Sequence, residues 1–349
     1  MPTLPILPGE VETLDTDVLG PYLEANVAGF SALCRVEKFA DGQSNPTFKV
    51  SAASGEYVLR RQPPGKLLKS AHAVDREYRV LAALADTDVP VATVYHLCED
   101  RDVIGSMFYV MEYCDGRIFW DAAIPEVVKT ERTAIYDEMN RVLAALHQVD
   151  IEKAGLSDFG KPGSYFKRQY ERWSSQYRAS ELRPIAAMET LIAWLGENLP
   201  EEDGRVSLVH GDYRLDNMIF DASGPTMIAL LDWELSTLGH PFADVGYQCM
   251  QLRMPAKIGH ISGLRGRDLG ELGIPTEEEY VARYCQRMNI DKIDNLGFYV
   301  AFSFFRLAAI VQGVAKRAVD GNASNKNAAQ LGEFVQPMAE LALEAIGER

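Results

Sequence analysis

The chain is short of positive charge: 35 Lys and Arg face 50 Asp and Glu over 349 residues, a formal net charge of −15. Nucleic acids and anionic membranes are gripped through clustered Lys and Arg, so this balance argues against both as general partners. Cysteine is sparse as well. Cys34, Cys98, Cys114, Cys249 and Cys285 are scattered, with no CxxC pair and no metal-ligand spacing. An odd number without a secretory signal favours reduced thiols in a cytoplasm-like compartment. Met1 to Glu10 holds three prolines and no basic n-region, unlike a signal peptide. No internal repeat or low-complexity tract is present. The one long apolar run, Phe298 to Val314, contains Ser303, Arg306 and Gln312. A central arginine makes a membrane span costly, so a buried helix is expected there. These exclusions leave a globular, cytoplasmic chain; the sequence carries no signature of its oligomeric state.

What is present suits an enzyme. Hydrophobic residues at 47% and charged residues at 24% are ordinary for a soluble domain, and 349 residues suffice for two lobes. A short helix is expected near Asp15 to Phe30. Strand-like segments follow at Arg35 to Phe39, Pro46 to Ala52 and Glu56 to Arg61, rich in Val, Phe, Tyr and Thr. Ala71 to Ala85 has helical periodicity, with Val74, Tyr78, Leu81 and Leu84 on one face. Thr93 to Cys98 and Ser106 to Tyr113 read as two more strands. Consecutive strands with short turns imply an antiparallel sheet with one helix against it. Beyond Cys114-Asp115-Gly116-Arg117 the chain turns mainly helical, at Glu131 to Gln148, Tyr165 to Tyr177, Pro184 to Asn198, Thr276 to Met288, Leu296 to Val319 and Ala328 to Ile346. The expected class is α+β, with an N-terminal lobe over 1–115 and a C-terminal lobe over 116–349.

Two segments interrupt the helices: Leu208-Val209-His210-Gly211-Asp212-Tyr213-Arg214-Leu215-Asp216-Asn217 and Leu230-Leu231-Asp232-Trp233-Glu234. An aspartate, an asparagine five residues on and a second aspartate after the next strand form the layout that phoshoryl transfer from a magnesium nucleotide requires. Asp212 is the candidate base that orients an acceptor hydroxyl. Asn217 and Asp232 offer hard oxygen ligands for Mg²⁺. His210 reads as a residue fixing the loop, because Asp212 already fills the acid–base role.

These segments, with Asp41-Gly42-Gln43-Ser44-Asn45-Pro46-Thr47-Phe48, Tyr57-Val58-Leu59-Arg60-Arg61, Pro63 to Leu68 and Ala71 to Tyr78, resemble the aminoglycoside phosphotransferase and choline kinase-like superfamily. The resemblance runs from about residue 35 to 250. It is strongest toward the branch found alone or fused to some acyl-CoA dehydrogenases. It implies a protein-kinase-like two-lobe fold that binds ATP between its lobes. Gly42 to Asn45 is similar to the loop that covers the phosphates, which makes Ser44 and Asn45 nucleotide-binding candidates. Arg60 stands where the family normally has a lysine, and Glu77 where its glutamate partner lies; Arg61 and Lys66 are substitutes. Arginine still clamps phosphate oxygens. Phe108 to Gly116 resembles the hinge strand, whose adenine contacts would be the Glu112 carbonyl and the Cys114 N–H. Asp244 corresponds to the family's supporting aspartate, and Glu234 is read as substrate-facing or supporting.

The acceptor pocket is expected in the helical part, from Tyr165, Arg168, Gln169, Arg172, Trp173 and Tyr177. A basic, aromatic helix suits an anionic or partly apolar acceptor and fits cationic aminoglycosides poorly; an ordinary helix with a solvated basic face is an equal alternative. The reading is an ATP- and Mg²⁺-dependent kinase of a small-molecule hydroxyl, with a hydroxyacyl thioester or hydroxy acid as first candidate. The rivals are an antibiotic kinase and a nucleotide-binding pseudokinase.

Overall fold

The computed structural model describes residues 14–39, 45–63, 72–256, 263–320 and 328–347. Ser44, Lys66 and the N-terminal lead fall outside the described residues, and so do the expectations placed on them. The chain forms two compact units. The first comprises Met1–Ile118, Glu152–Leu156 and Asp216–Leu235; the second comprises Phe119–Ile151, Ser157–Leu215 and Ser236–Arg349.

In the first unit α1 (Thr16–Asn26) is capped by Asp15, whose side chain accepts from the Asp17 N–H. Five strands follow around a second helix: β1 (Leu33–Lys38), β2 (Thr47–Ala52), β3 (Gly55–Arg61), α2 (Val74–Leu84), β4 (Val94–Cys98) and β5 (Phe108–Glu112). They pair antiparallel in the order β1-β2-β3-β5-β4. Strand periodicity sorts the side chains to two faces. Phe48, Val50, Leu59, Phe108 and Val110 join Leu19 and Leu23 of α1, and Val27 just after it, in one buried cluster. Arg60, the neighbour of Leu59, therefore lies on the other face, directly opposite Tyr109 in the β3–β5 register.

The remaining part of this unit comes from far along the chain. Met218–Phe220 and Met227–Leu230 pair antiparallel as a hairpin. Arg117 and Phe220 exchange backbone hydrogen bonds at 2.7 and 2.8 Å, and the Leu230 N–H donates to the Pro90 carbonyl at 2.8 Å. A Cβ on Gly116 would collide with the Phe220 carbonyl and the Ile219 side chain, so only glycine lets these backbones meet. A single division near residue 115, as the change in periodicity suggested, thus differs from the contact units. Backbone bonding recruits residues 216–235 to the sheet-bearing unit.

The second unit holds α3 (Lys129–His147), α4 (Tyr165–Ser180), α5 (Ala186–Glu197), β6 (Ser207–Val209), β9 (Thr237–Gly239), α6 (Phe242–Arg253), α7 (Leu269–Leu272), α8 (Glu277–Met288), α9 (Leu296–Val319) and α10 (Val335–Ala345). The hairpin strands of the first unit are β7 (Met218–Phe220) and β8 (Met227–Leu230). β6 and β9 pair antiparallel. Helix α8 carries a full capping box from Thr276 and Glu279. Helix α9 is long and apolar enough to cross a membrane by length and composition alone, yet most of that stretch is buried. It packs against α4, α6 and α10. Phe166 of α4 meets Phe298, Tyr299 and Phe302 of α9 at ring separations of 5.1–5.5 Å. The expected helix over Ala328 to Ile346 starts as a 3₁₀ turn, Ala328–Phe334, and becomes α-helical at Val335.

Candidate active site

The site residues of the first unit converge on Glu77. Its carboxylate is 2.7 Å from Arg60 Nε, accepts from Asn45 Nδ2 at 2.7 Å, and accepts from the Tyr109 hydroxyl at 3.2 Å. The Arg60 Nε–H does not point along the short Nε–Oε2 vector, so that contact is an ion pair by distance rather than a directed hydrogen bond. Arg60 Nη2 does donate to Asp232 Oδ1, at 2.8 Å. Burial disfavours the Arg60 charge, but Glu77, Tyr109, Asp232 and Glu234 outweigh it and hold the guanidinium protonated. Burial pushes the Glu77 carboxyl up, against the pull of Arg60, Asn45 and Tyr109. The cation is therefore permanent, and the carboxylate is the member that burial works against.

Asp232 follows β8 with φ +64, in the left-handed region that aspartate enters more readily than most residues. Asn217 closes the 3₁₀ turn Leu215–Asn217 and is buried. Its carbonyl accepts the Leu231 N–H at 2.8 Å. One backbone hydrogen bond thus ties the two candidate metal ligands, since Leu231 immediately precedes Asp232. An amide oxygen and a carboxylate are hard donors that suit Mg²⁺, which uses one or two carboxylates and takes its remaining ligands from water and phosphate. Among the described residues no cluster of three His, Cys, Asp or Glu offers a ready-made cage for another metal.

Asn45 is fully buried, and its side chain is committed to Glu77 and to His72, whose Nδ1 lies 3.0 Å from its Oδ1. Any contact of Asn45 with a phosphate therefore falls to its backbone. Glu112 ends β5, and its carboxylate accepts from the Thr93 N–H at 3.1 Å. Burial and then Glu112 push the Cys114 thiol up to about 12, which rules it out as a thiolate nucleophile at neutral pH. Arg61 is buried and donates to the Ser106 hydroxyl at 2.8 Å. Trp233 is buried with its indole N–H on the Leu230 carbonyl, a core role.

In the second unit Asp212 sits on the turn after β6. The Tyr247 hydroxyl donates to its Oδ1 at 2.5 Å, and Arg214 Nε lies 3.3 Å from its Oδ2. Burial alone would raise this carboxyl; Arg214, Tyr247, His210 and Arg306 together hold it below the usual aspartate range. Asp244 supports the turn from α6. Its carboxylate accepts the His210 N–H at 2.7 Å and the Gly211 N–H at 2.8 Å, with His147 Nε2 at 3.3 Å. His147 also meets the Tyr284 hydroxyl at 2.7 Å. Gly211 has φ +83, the left-handed conformation that this tight turn demands. The His210 ring is buried, and its Nδ1 accepts the Asp212 N–H at 3.2 Å, which fixes the loop.

Of the acceptor candidates, Tyr165, Trp173 and Tyr177 are buried. Gln169 accepts the Trp173 indole N–H at 3.0 Å. Several contributors carry no role that the sequence alone assigns: Tyr109, Arg214, Tyr247 and Arg306. Tyr247 lies one turn beyond Asp244 on the same helix.

An antiparallel sheet beside one helix, with a mainly helical remainder, is the α+β arrangement of the aminoglycoside-phosphotransferase kinase-like fold. The chain belongs to the phosphotransferase enzyme family, whose sequence model matches residues 35–280. It is 51% identical over 327 residues to mouse (Mus musculus) acyl-CoA dehydrogenase family member 10, covering 93% of this chain and 30% of that relative. The chain thus spans about a third of that protein. A crystal structure of a Ralstonia eutropha JMP134 protein, provisionally named an aminoglycoside phosphotransferase, has a TM-score of 0.87 at 49% identity, covering 96% of this chain and 99% of that one. Aminoglycoside phosphotransferase APH(4)-Ia, in a ternary complex with AMP-PNP and hygromycin B, shares the fold at a TM-score of 0.60 and 15% identity, covering 94% and 98%.

Proposed function

We propose that this protein is an ATP- and Mg²⁺-dependent phosphotransferase whose acceptor is the hydroxyl of a small molecule. The observation that carries the proposal is Arg60, held between buried Glu77 and Asp232. That triad puts one permanent positive charge beside a candidate metal carboxylate, as phosphate neutralisation requires. The AMP-PNP complex of a protein with the same fold supports ATP as donor.

Asn217 and Asp232 would hold Mg²⁺, which supplies charge neutralisation on the transferring phosphate. Arg60 binds phosphate oxygens. Asp212 accepts the acceptor hydroxyl's hydrogen bond and aims its oxygen. A carboxyl held below the usual range is a weak base, so its work is orientation rather than early proton removal. This suits a loose transition state that needs little nucleophilic push. A hydroxy acid or hydroxyacyl thioester is the acceptor class we favour.

The test is a coupled ADP-release assay with ATP and Mg²⁺ over hydroxy acids, hydroxyacyl thioesters, amino alcohols, sugars and aminoglycosides. Stimulated release that Asp212→Ala abolishes supports the reading and names the acceptor class. Nucleotide binding without stimulated release over the whole panel favours a binding module, and absence of nucleotide binding overturns the proposal.

A further inference from the structure

Most arginines of the second unit have carboxylate partners, among them Arg178, Arg253, Arg265, Arg283 and Arg287. Three do not. Among the described residues no carboxylate lies within ion-pair distance of Arg168, Arg172 or Arg306. Arg168 and Arg172 are one turn apart on α4, so they share a face. Arg306 comes from the middle of α9, which packs against α4. The Arg172 and Arg306 guanidinium carbons lie 5.1 and 5.7 Å from the centre of the Trp173 ring. Arg168 Nη2 donates to the Lys161 carbonyl at 2.5 Å, while its Nη1 is buried without a hydrogen-bond partner.

A solvated basic face accounts for Arg172, which is exposed, but not for the other two. Arg306 is half-buried in an apolar helix, and a buried guanidinium N–H without an acceptor is costly. Two cations against one indole also repel each other, which an anion between them would relieve. We infer that Arg172 and Arg306, both against Trp173, together with Arg168 one turn away on α4, bind an anionic group of the phosphoryl acceptor, a carboxylate or a phosphate ester, and so select acidic substrates over neutral or cationic ones. Electrostatics point the same way. Burial pushes the Tyr165 phenol up, and all three arginines pull it back. Arg306 also contributes to holding down the Asp212 carboxyl, so its charge reaches the residue that would orient the hydroxyl. The inference rests on the phosphotransferase reading for the word acceptor, but the anion site can be tested without turnover.

Isothermal titration calorimetry on the full chain, with and without AMP-PNP, would use hydroxy acids of two to six carbons, their CoA thioesters and the matching neutral hydroxy amides. At least one anionic probe should bind about ten-fold or more tightly than its amide. Arg306→Ala should remove that advantage and leave the amide unchanged, Arg306→Lys should restore part of it, and AMP-PNP affinity should not move. Binding of the free acid alone identifies a carboxylate site, and binding of the thioester alone identifies the CoA phosphates. If Arg306→Ala does not fold, Arg172→Ala, at an exposed position, carries the same comparison. Equal binding of anionic and neutral probes, no binding of any anionic probe, or unchanged affinity in these variants overturns the inference. Anion binding that survives while ADP release is absent would instead remove the kinase reading and leave the anion site standing.

Discussion

Arg60 Nη2 donates to Asp232 Oδ1 at 2.8 Å, joining a strand of the sheet to a turn 172 positions later. The same guanidinium faces Glu77, whose side chain is only 2% exposed. Removing the cation leaves that carboxylate buried and uncompensated. Arg60→Ala should therefore cost roughly 3 kcal/mol of stability as well as activity. The double substitution Arg60→Met with Glu77→Leu should recover most of the stability and none of the phosphotransfer. Urea midpoints beside ADP-release rates check this. Full stability in the single variant would show that the pair does not bind the sheet to α2.

Tyr247 and Asp212 make a pH prediction. Burial raises the Asp212 carboxyl, but Arg214 and the Tyr247 hydroxyl lead the groups that bring it below the ordinary aspartate value of 3.8. Activity that needs the carboxylate should persist through pH 3.8 and be lost only as pH falls through the lower folded value. Tyr247→Phe removes a hydrogen bond to the charged form, so the acid limb of kcat/KM should move to higher pH while AMP-PNP affinity holds. Asp212→Ala should lower kcat by about 10²–10⁴-fold at any pH. An unmoved acid limb in Tyr247→Phe would assign that limb to another group.

Asp232 combines a positive φ with the candidate metal site. Asparagine also tolerates the left-handed region, so Asp232→Asn should fold with little loss of stability. It exchanges an anionic oxygen donor for a neutral one, so the Mg²⁺ concentration for half-maximal ADP release should rise about ten-fold or more. Chelation by EDTA should stop turnover in both proteins. A Mg²⁺ requirement identical to wild type would remove Asp232 from the metal.

The sheet and most helices were legible because their periods are clean. Val74, Leu81 and Leu84 of α2 are buried as the 3.6-residue pattern requires, and α9 matches the expected Leu296 to Val319. Helix α6 has no legible period in the sequence. Nearly every residue from Phe242 to Leu252 is buried, so it has no polar face to mark a period. Tyr247, three residues after Asp244 on this helix, therefore carries no local signal, although its hydroxyl reaches Asp212. Spacing along the chain alone nominates Asp212, Asn217 and Asp232. The candidate site was not legible where folding supplies the partner. Arg60 meeting Asp232, and Arg306 meeting Trp173, depend on contacts that no local pattern encodes.

Asp244 offers the clearest separation of support from chemistry. Its two oxygens accept the His210 and Gly211 N–H groups and so shape the turn that carries Asp212. Burial raises its carboxyl, yet His147, His210 and the Gly211 N–H hold it below 3.8. A depressed folded pKa means that its stabilisation is fully present above 3.8 and is lost as pH falls through the folded value. Asp244→Asn keeps one acceptor and turns an amide donor toward the other N–H, at a cost of roughly 3 kcal/mol. The variant should be less stable than wild type at pH 7, and the gap should narrow on acidification below 3.8, because wild type then loses the same charge. Urea denaturation between pH 7 and pH 3 measures that gap. A gap that stays constant over the whole range would show that the Asp244 charge contributes nothing to the turn.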